Sequence, residues 1–422
     1  MTYKITPSFF IGCFLFVVTN TSFAQLSNRS YIFGHSLVNH SADQTTQNRS
    51  NIPDWLHLLA EQAGNDYAVD GQFNFLPFQQ LPPIYHWSFI DAQRARTDES
   101  NTDFGSIDYD NVIVTLANFI QPSSAPSDNA FCDQQYINNC NEDPNALSSV
   151  EAVVRILDFA RQEEPTIDFY IYENWPEFYG TFPPTSDEEE ATEFGAFYDY
   201  TRGDFHNWWI DLQDEVLAAR PDSNVKLIPV GPILADLFSD TGILADIPAA
   251  TLYEDAAPHG YPVVYFLTAL IHYSVLYGEQ PPADFQFPDE NLAAPIRIPD
   301  LVKNNYNTIV SYIWDRLQDY TFASGESRVF VNDPTLSVDE LSLQQEKILL
   351  YPNPGSERFM LRVPQNTAFP ISLHIVNTLG QLVENISITD PQLTEFRFNK
   401  KGTFFVNVQG EQFSDTIKMV VQ

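Results

Sequence analysis

Cations are scarce in this 422-residue chain: 21 Lys and Arg stand against 56 Asp and Glu, for a net charge of −35. So acidic a surface repels phosphate backbones and anionic lipid, which excludes nucleic acid as a partner and suits solubility in a salty medium. Cysteine is also rare, with three residues, too few for a disulfide-stapled scaffold. Beyond residue 24 there is no uninterrupted apolar run of about 18 residues, so no membrane span is expected in the mature chain.

The start of the chain does hold an apolar run, Phe9 to Val18, after a short polar stretch with Lys4 and before the small-x-small sequence Ser22, Phe23, Ala24. As a helix it covers about 15 Å, half of a roughly 30 Å hydrocarbon core. It reads as a secretory signal, residues 1–24, cut after Ala24. Cleavage removes Lys4, taking the net charge to about −36, and Cys13. Cys132 and Cys140 remain, and an even pair outside the cytoplasm implies one disulfide. Closing so short a loop stabilises by about 2 to 3 kcal/mol, enough to pin a loop. Two thiols alone do not make a metal site.

About 400 mature residues suit one large and one small domain. Residues 25–320 alternate short apolar segments with helical patterns. Strands are expected at Tyr31 to Phe33, Val112 to Leu116, Phe169 to Tyr172 and Val225 to Val230. Ser148 and Glu151 form a capping box, and Phe205, Trp208, Trp209, Leu212 and Val216 recur at helical spacing. This pattern predicts an α/β domain with a doubly wound, mostly parallel sheet, its site at the carboxyl ends of the strands. Residues 321–347 keep no sustained period and read as a linker. In residues 348–422, Ile371, Leu373, Ile375 and Phe404, Val406, Val408 alternate, with Gly380 and Gly402 at turns, predicting a small antiparallel β-sandwich.

The chemistry concentrates in two places. The strand RSYIF runs into Gly34, His35, Ser36 and Leu37, which puts a serine where a helix N-terminus would follow, its N–H free to bind an oxyanion. More than 200 residues later, LYEDAAPHGYP places Asp255 and His259 ahead of a helix. A serine hydroxyl needs an imidazole base that an acid orients, and Ser36, His259 and Asp255 supply those groups. No cofactor or metal is required. Aromatic loops at Tyr85, His86, Trp87 and at Tyr172, Glu173, Asn174, Trp175 offer Trp87 and Trp175 as substrate-stacking candidates, with core packing the alternative. The run Asp187, Glu188, Glu189, Glu190 and Glu193 reads as a solvated loop, with weak calcium binding the alternative.

Residues 29–320 resemble the SGNH or GDSL hydrolases: FGHSL for the first block, VDGQFNF for the second, VIVTLANF for the third, and His259 followed by Phe266, Ala269 and Leu270 for the last. The resemblance implies an esterase with Ser36 as nucleophile and with Gly71 and Asn118 joining Ser36 in the oxyanion hole. His35 departs from the family's aspartate. The family's acid lies three residues before its histidine, where this chain has Ala256; Asp255, the weaker substitute Glu254, or no acid at all are the options. Residues 348–422 resemble the C-terminal sorting domain of the type IX secretion system, through YPNP at 351–354, IVNTLGQLV, KGTFFVNV and a closing IKMVV. That resemblance implies passage through the periplasm and outer membrane to the surface or medium, with the secretion machinery as partner. The combined expectation is a secreted carboxylic ester hydrolase, a deacylase acting on extracellular polysaccharide. A non-catalytic carbohydrate-binding or adhesive protein and a secreted lipase are the alternatives.

Overall fold

The computed structural model describes residues 25–40, 48–98, 100–101, 103–122, 125–127, 147–288, 291–331, 349–351, 358–362, 369–377, 381–389, 395–409 and 414–421. The signal segment, Gly380, Cys132 and Cys140 lie outside them. The chain divides into two compact units, Met1–Val331 and Asn332–Gln422.

The first unit is built on five strands, β1 (Ser27–Gly34), β2 (Asp66–Phe73), β3 (Asn111–Val114), β4 (Asp168–Glu173) and β5 (Lys226–Pro229), all parallel and ordered β2-β1-β3-β4-β5. Side chains alternate between two cores. Ile32, Val69, Ile113, Tyr170 and Ile228 face one, with α1 (Ile52–Ala63), α5 (Val230–Phe238), α6 (Pro262–Tyr277) and α7 (Tyr306–Asp319). Tyr31, Phe33, Val112, Phe169 and Leu227 face the other, with α2 (Ser149–Glu163) and α4 (His206–Ala219). Both faces being covered is why these strands read as near-continuous apolar runs. The sheet reverses its winding between β1 and β3, the point at which open α/β sheets take their ligands.

The exception is β2, DYAVDGQF, whose pattern is interrupted by Asp70 and Gln72, both buried. Asp70 is satisfied by the Tyr109 hydroxyl at 2.7 Å and the Arg96 N–H at 2.8 Å, partners from later in the chain. Such a strand cannot be recognised by apolarity.

Helix α2 starts as its sequence predicts, with the Glu151 N–H donating to Ser148 Oγ at 3.1 Å and the Ser148 N–H to Glu151 Oε2 at 2.8 Å. Trp208 and Trp209 are buried on α4. The acidic run is helical rather than a loop: Ser186 caps α3 (Asp187–Tyr200), and four carboxylates in its first turn complement the helix dipole. Helix α6 is buried on nearly every side. Its Thr268, His272 and Ser274 side chains donate to carbonyls one turn back, and burial pushes the His272 imidazole down to about 4, so it stays neutral. No helix of the described residues is long and apolar enough to cross a membrane.

The linker expected from residue 321 begins later. Thr321 and Ser327 form a bridge, the Arg328 carbonyl accepts from the Leu227 N–H at 2.8 Å, and Arg328 pairs with Asp214 at 2.7 Å. With Val329 and Phe330 buried, this segment covers the open edge of β5.

The second unit has two antiparallel sheets. One orders β10 (Glu395–Arg397), β7 (Arg358–Arg362) and β6 (Leu349–Tyr351); the other orders β12 (Ser414–Val421), β11 (Gly402–Gln409), β8 (Ile371–Asn377) and β9 (Leu382–Ile388). Ile371, Leu373, Ile375, Phe404, Val406 and Val408 point into a core shared with Phe359, Leu361 and Phe396.

Ser148→Ala, which removes the capping box of α2, is expected to cost about 1 kcal/mol. Chemical denaturation should show a lower midpoint with an unchanged slope.

Candidate active site

Beyond Gly34 the chain makes one helical turn, in which His35 O accepts from the N–H groups of Val38 at 2.9 Å and Asn39 at 3.2 Å. The helix expected directly after Ser36 is only this turn; α1 begins at Ile52, capped by Asn51. Two buried tyrosines anchor the turn to the core, Tyr265 Oη donating to Ser36 O at 2.7 Å and Tyr172 Oη to Leu37 O at 3.1 Å. His35 Nε2 lies 2.9 Å from Leu116 O, tying the loops after β1 and β3. Burial pushes His35 down to about 4, so it serves as a neutral donor.

His259 reaches this turn from the loop ahead of α6. Its Nε2 is 2.8 Å from Ser36 Oγ and its Nδ1 is 2.7 Å from Asp255 Oδ2. Asp255 Oδ1 accepts from the N–H groups of Ala257 at 3.0 Å and His259 at 3.1 Å. The carboxylate therefore turns back on its own loop, and the four-residue spacing delivers it to the imidazole. Partial burial pushes Asp255 up, but the bonds from the His259 ring and the backbone outweigh it and hold the carboxyl below its usual range. Glu254 points elsewhere, with Oε2 3.3 Å from His40 Nε2.

The loop is pinned at both ends and in the middle. Tyr253 and Gly260 form a bridge, and the Glu254 N–H donates to His259 O at 2.7 Å. Three consecutive carbonyls then accept from the loops that follow β3 and β4: Ala256 from the Phe178 N–H at 3.0 Å, Ala257 from Asn118 Nδ2 at 3.2 Å, and Pro258 from Trp175 Nε1 at 2.9 Å.

These contacts revise several expected roles. Trp175 is 1 % exposed and Trp87 is 8 % exposed, so neither is a stacking surface for a substrate. Trp175 positions the histidine loop. Trp87 packs over Gly71, where a Cβ would lie 2.4 Å from its ring. Gly71 pairs with Ile32 inside the ladder, two residues before β2 ends and short of the level of Ser36, about 3.3 Å per residue. Its missing side chain makes room for the indole, and its N–H is too far back to meet an oxyanion at Ser36. Asn118 is at the site, with its amide engaged to the histidine loop. His40, four residues after Ser36, was missed: its ring stacks on His259 with centroids 4.0 Å apart at 9°.

A hydroxyl, an imidazole and a carboxylate are thus joined in one line, an arrangement able to move the Ser36 proton onto His259 while Asp255 holds the ring. Among the described residues no group of three or more His, Cys, Asp and Glu is arranged for a metal ion.

Residues 349–422 match the family described as the secretion system C-terminal sorting domain. The tail is a type IX sorting domain. It marks a protein secreted through that system to the cell surface or extracellular space, and the secretion machinery is its partner. No curated protein matches the chain. Among solved structures, a chain from Parabacteroides merdae ATCC 43184 described as a candidate GDSL-like lipase is 12 % identical, covers 60 % of this chain and 97 % of its own, and has a TM-score of 0.34. A Cellulomonas fimi endo-beta-1,4-mannanase double mutant is 11 % identical over 74 % of this chain and 77 % of its own, with a TM-score of 0.16.

Gly71→Ala should lower stability by about 1 to 3 kcal/mol through overpacking, and by less in a Trp87→Phe background, as a denaturation double-mutant cycle would read. Trp175→Phe keeps the bulk and loses the bond to Pro258, and should lower stability by about 1 kcal/mol, as chemical denaturation would read.

Proposed function

We propose that the protein is a secreted serine-dependent carboxylic ester hydrolase of the SGNH type. The observation that carries the reading is the continuous line of short contacts from Ser36 Oγ through His259 to Asp255, formed by groups 223 and 4 residues apart in sequence. His259 takes the Ser36 proton as the oxygen attacks the ester carbonyl. The imidazolium then protonates the leaving alcohol, and a water activated by the same ring releases the acid. The Ser36 N–H and the second N–H of the Asn118 amide would hold the tetrahedral oxyanion, each donor being worth about 3 to 4 kcal/mol. Glu254 makes no direct contact with the His259 ring, because its carboxylate meets His40 instead.

For the substrate, a secreted enzyme meets esters outside the cell. The net charge of −35 disfavours anionic polymers, so neutral acylated polysaccharides, acetylated ones first, are the class proposed. The alternative of a binding protein rested on the displaced acid, and the 2.7 Å contact to Asp255 removes that support.

The full secreted chain should hydrolyse p-nitrophenyl acetate, with Ser36→Ala abolishing turnover and Asp255→Asn lowering kcat by about 10⁴. Activity that survives Ser36→Ala would sink the assignment. Acid release from a panel of acylated polysaccharides names the substrate, and a preference for long acyl chains on simple esters would favour a lipase. Because His259 must be neutral to act and Asp255 ionised to orient it, kcat/KM should fall towards acid pH.

A further inference from the structure

Two hydrogen bonds fix His259 along a single line, from Asp255 Oδ2 through the ring to Ser36 Oγ. They leave the ring free to tilt about that line. One face is covered by a second imidazole, His40, at 4.0 Å and 9°. His40 is itself held: its N–H donates to Ser50 O at 2.9 Å, and its Nε2 sits 3.3 Å from Glu254 Oε2. Glu254 in turn is fixed by its own N–H, which donates to His259 O at 2.7 Å. Two adjacent acids thus grip two stacked imidazoles, Asp255 the one that touches serine and Glu254 the one behind it.

We propose that His40, clamped by Glu254, is a positioning residue that keeps the His259 ring in the plane joining Ser36 to Asp255 and supports its imidazolium form. This rests on the ester-hydrolase reading above. A flat partner in van der Waals contact stops the tilt that the two hydrogen bonds permit. A neutral His40 whose Nε2–H points at the Glu254 carboxylate turns an electron-rich face towards the positive charge that arises on His259 during acyl transfer. The charged and titratable groups facing His40 are His259 on its ring face, Glu254 at Nε2, and Asp255. Burial and then the charge on His259 push His40 below the ordinary imidazole range, against the pull of the two carboxylates, so the ring is neutral at neutral pH. Once protonated it sets a like charge against His259 and opposes the imidazolium. The same ring that aids catalysis at neutral pH is therefore a brake at acid pH.

The test uses the full secreted chain with p-nitrophenyl acetate between about pH 4.5 and 8. His40→Ala should lower kcat about tenfold with KM within about twofold, and His40→Phe, which restores a flat partner, should recover most of that loss. On the acid limb, the slope of log kcat/KM should be steeper in the unmutated protein than in His40→Phe, by close to one, because the substitution removes the His40 proton. Wild-type kcat in His40→Ala, or His40→Phe no better than His40→Ala, would overturn the proposal. A second readout needs no activity: in ¹⁵N-imidazole NMR titrations, His259 should show an extra inflection that vanishes in His40→Phe. A single inflection in both proteins also overturns it. If no ester is cleaved while the extra inflection is present, the hydrolase reading falls and the coupled pair stands. Should His40→Ala fail to fold, His40→Phe and Glu254→Gln carry the comparison, Glu254→Gln being expected to lower kcat with unchanged KM.

Discussion

Three hydrogen bonds to consecutive carbonyls decide whether this molecule has a site at all. Ala256, Ala257 and Pro258 accept from Phe178, Asn118 and Trp175, so the loop carrying Asp255 and His259 is fastened to the carboxyl ends of β3 and β4. The serine turn is fastened separately, by Tyr265, Tyr172 and His35. Each half is therefore placed against the same rigid sheet. Without that common frame, a 2.8 Å contact between residues 223 apart would be one conformation among many.

The buried polar groups around the site share one property, which is that they are paired or neutral. His35 and His272 are kept uncharged by burial. Asn174 Nδ2 donates to Thr115 Oγ1 at 3.0 Å and Leu116 O at 2.6 Å. Glu173 lies fully buried at the end of β4 against His206, 2.9 Å away; burial raises its carboxyl to about 6 although His206 pulls it down. A strand end that buries so much polarity depends on these pairings, while Asn174 Oδ1 is buried with no hydrogen-bond partner among the described residues. The net negative charge stays on the outside, while the site is governed by a few short contacts.

Sheet and helices were largely legible in the residues. Apolar runs marked four of the five strands, Ser148 with Glu151 marked the start of α2, and alternation in Ile371 to Ile375 and Phe404 to Val408 marked the inward faces of the second unit. What escaped was polar and buried. β2 hides behind Asp70 and Gln72, whose partners are distant in sequence. The first residues after 320 look like linker yet cover β5, because their value lies in backbone bonds to an edge that composition does not reveal. Aromatic residues in loops gave no sign of depth, so Trp87 and Trp175 read as possible platforms while one fills the space over a glycine and the other braces a loop.

By itself the sequence determined that the tail is a sorting domain, that the large domain alternates strand and helix, and that Ser36, Asp255 and His259 are candidates worth joining. These follow from local order: motifs, periods and residue types in succession. Only the tertiary structure decided that Asp255 rather than Glu254 meets His259, that Gly71 lies too far back along its strand to reach the serine, and that a second histidine stacks behind the first. Those outcomes turn on distances of a few ångströms between segments brought together by the sheet, and no one-dimensional spacing encodes them.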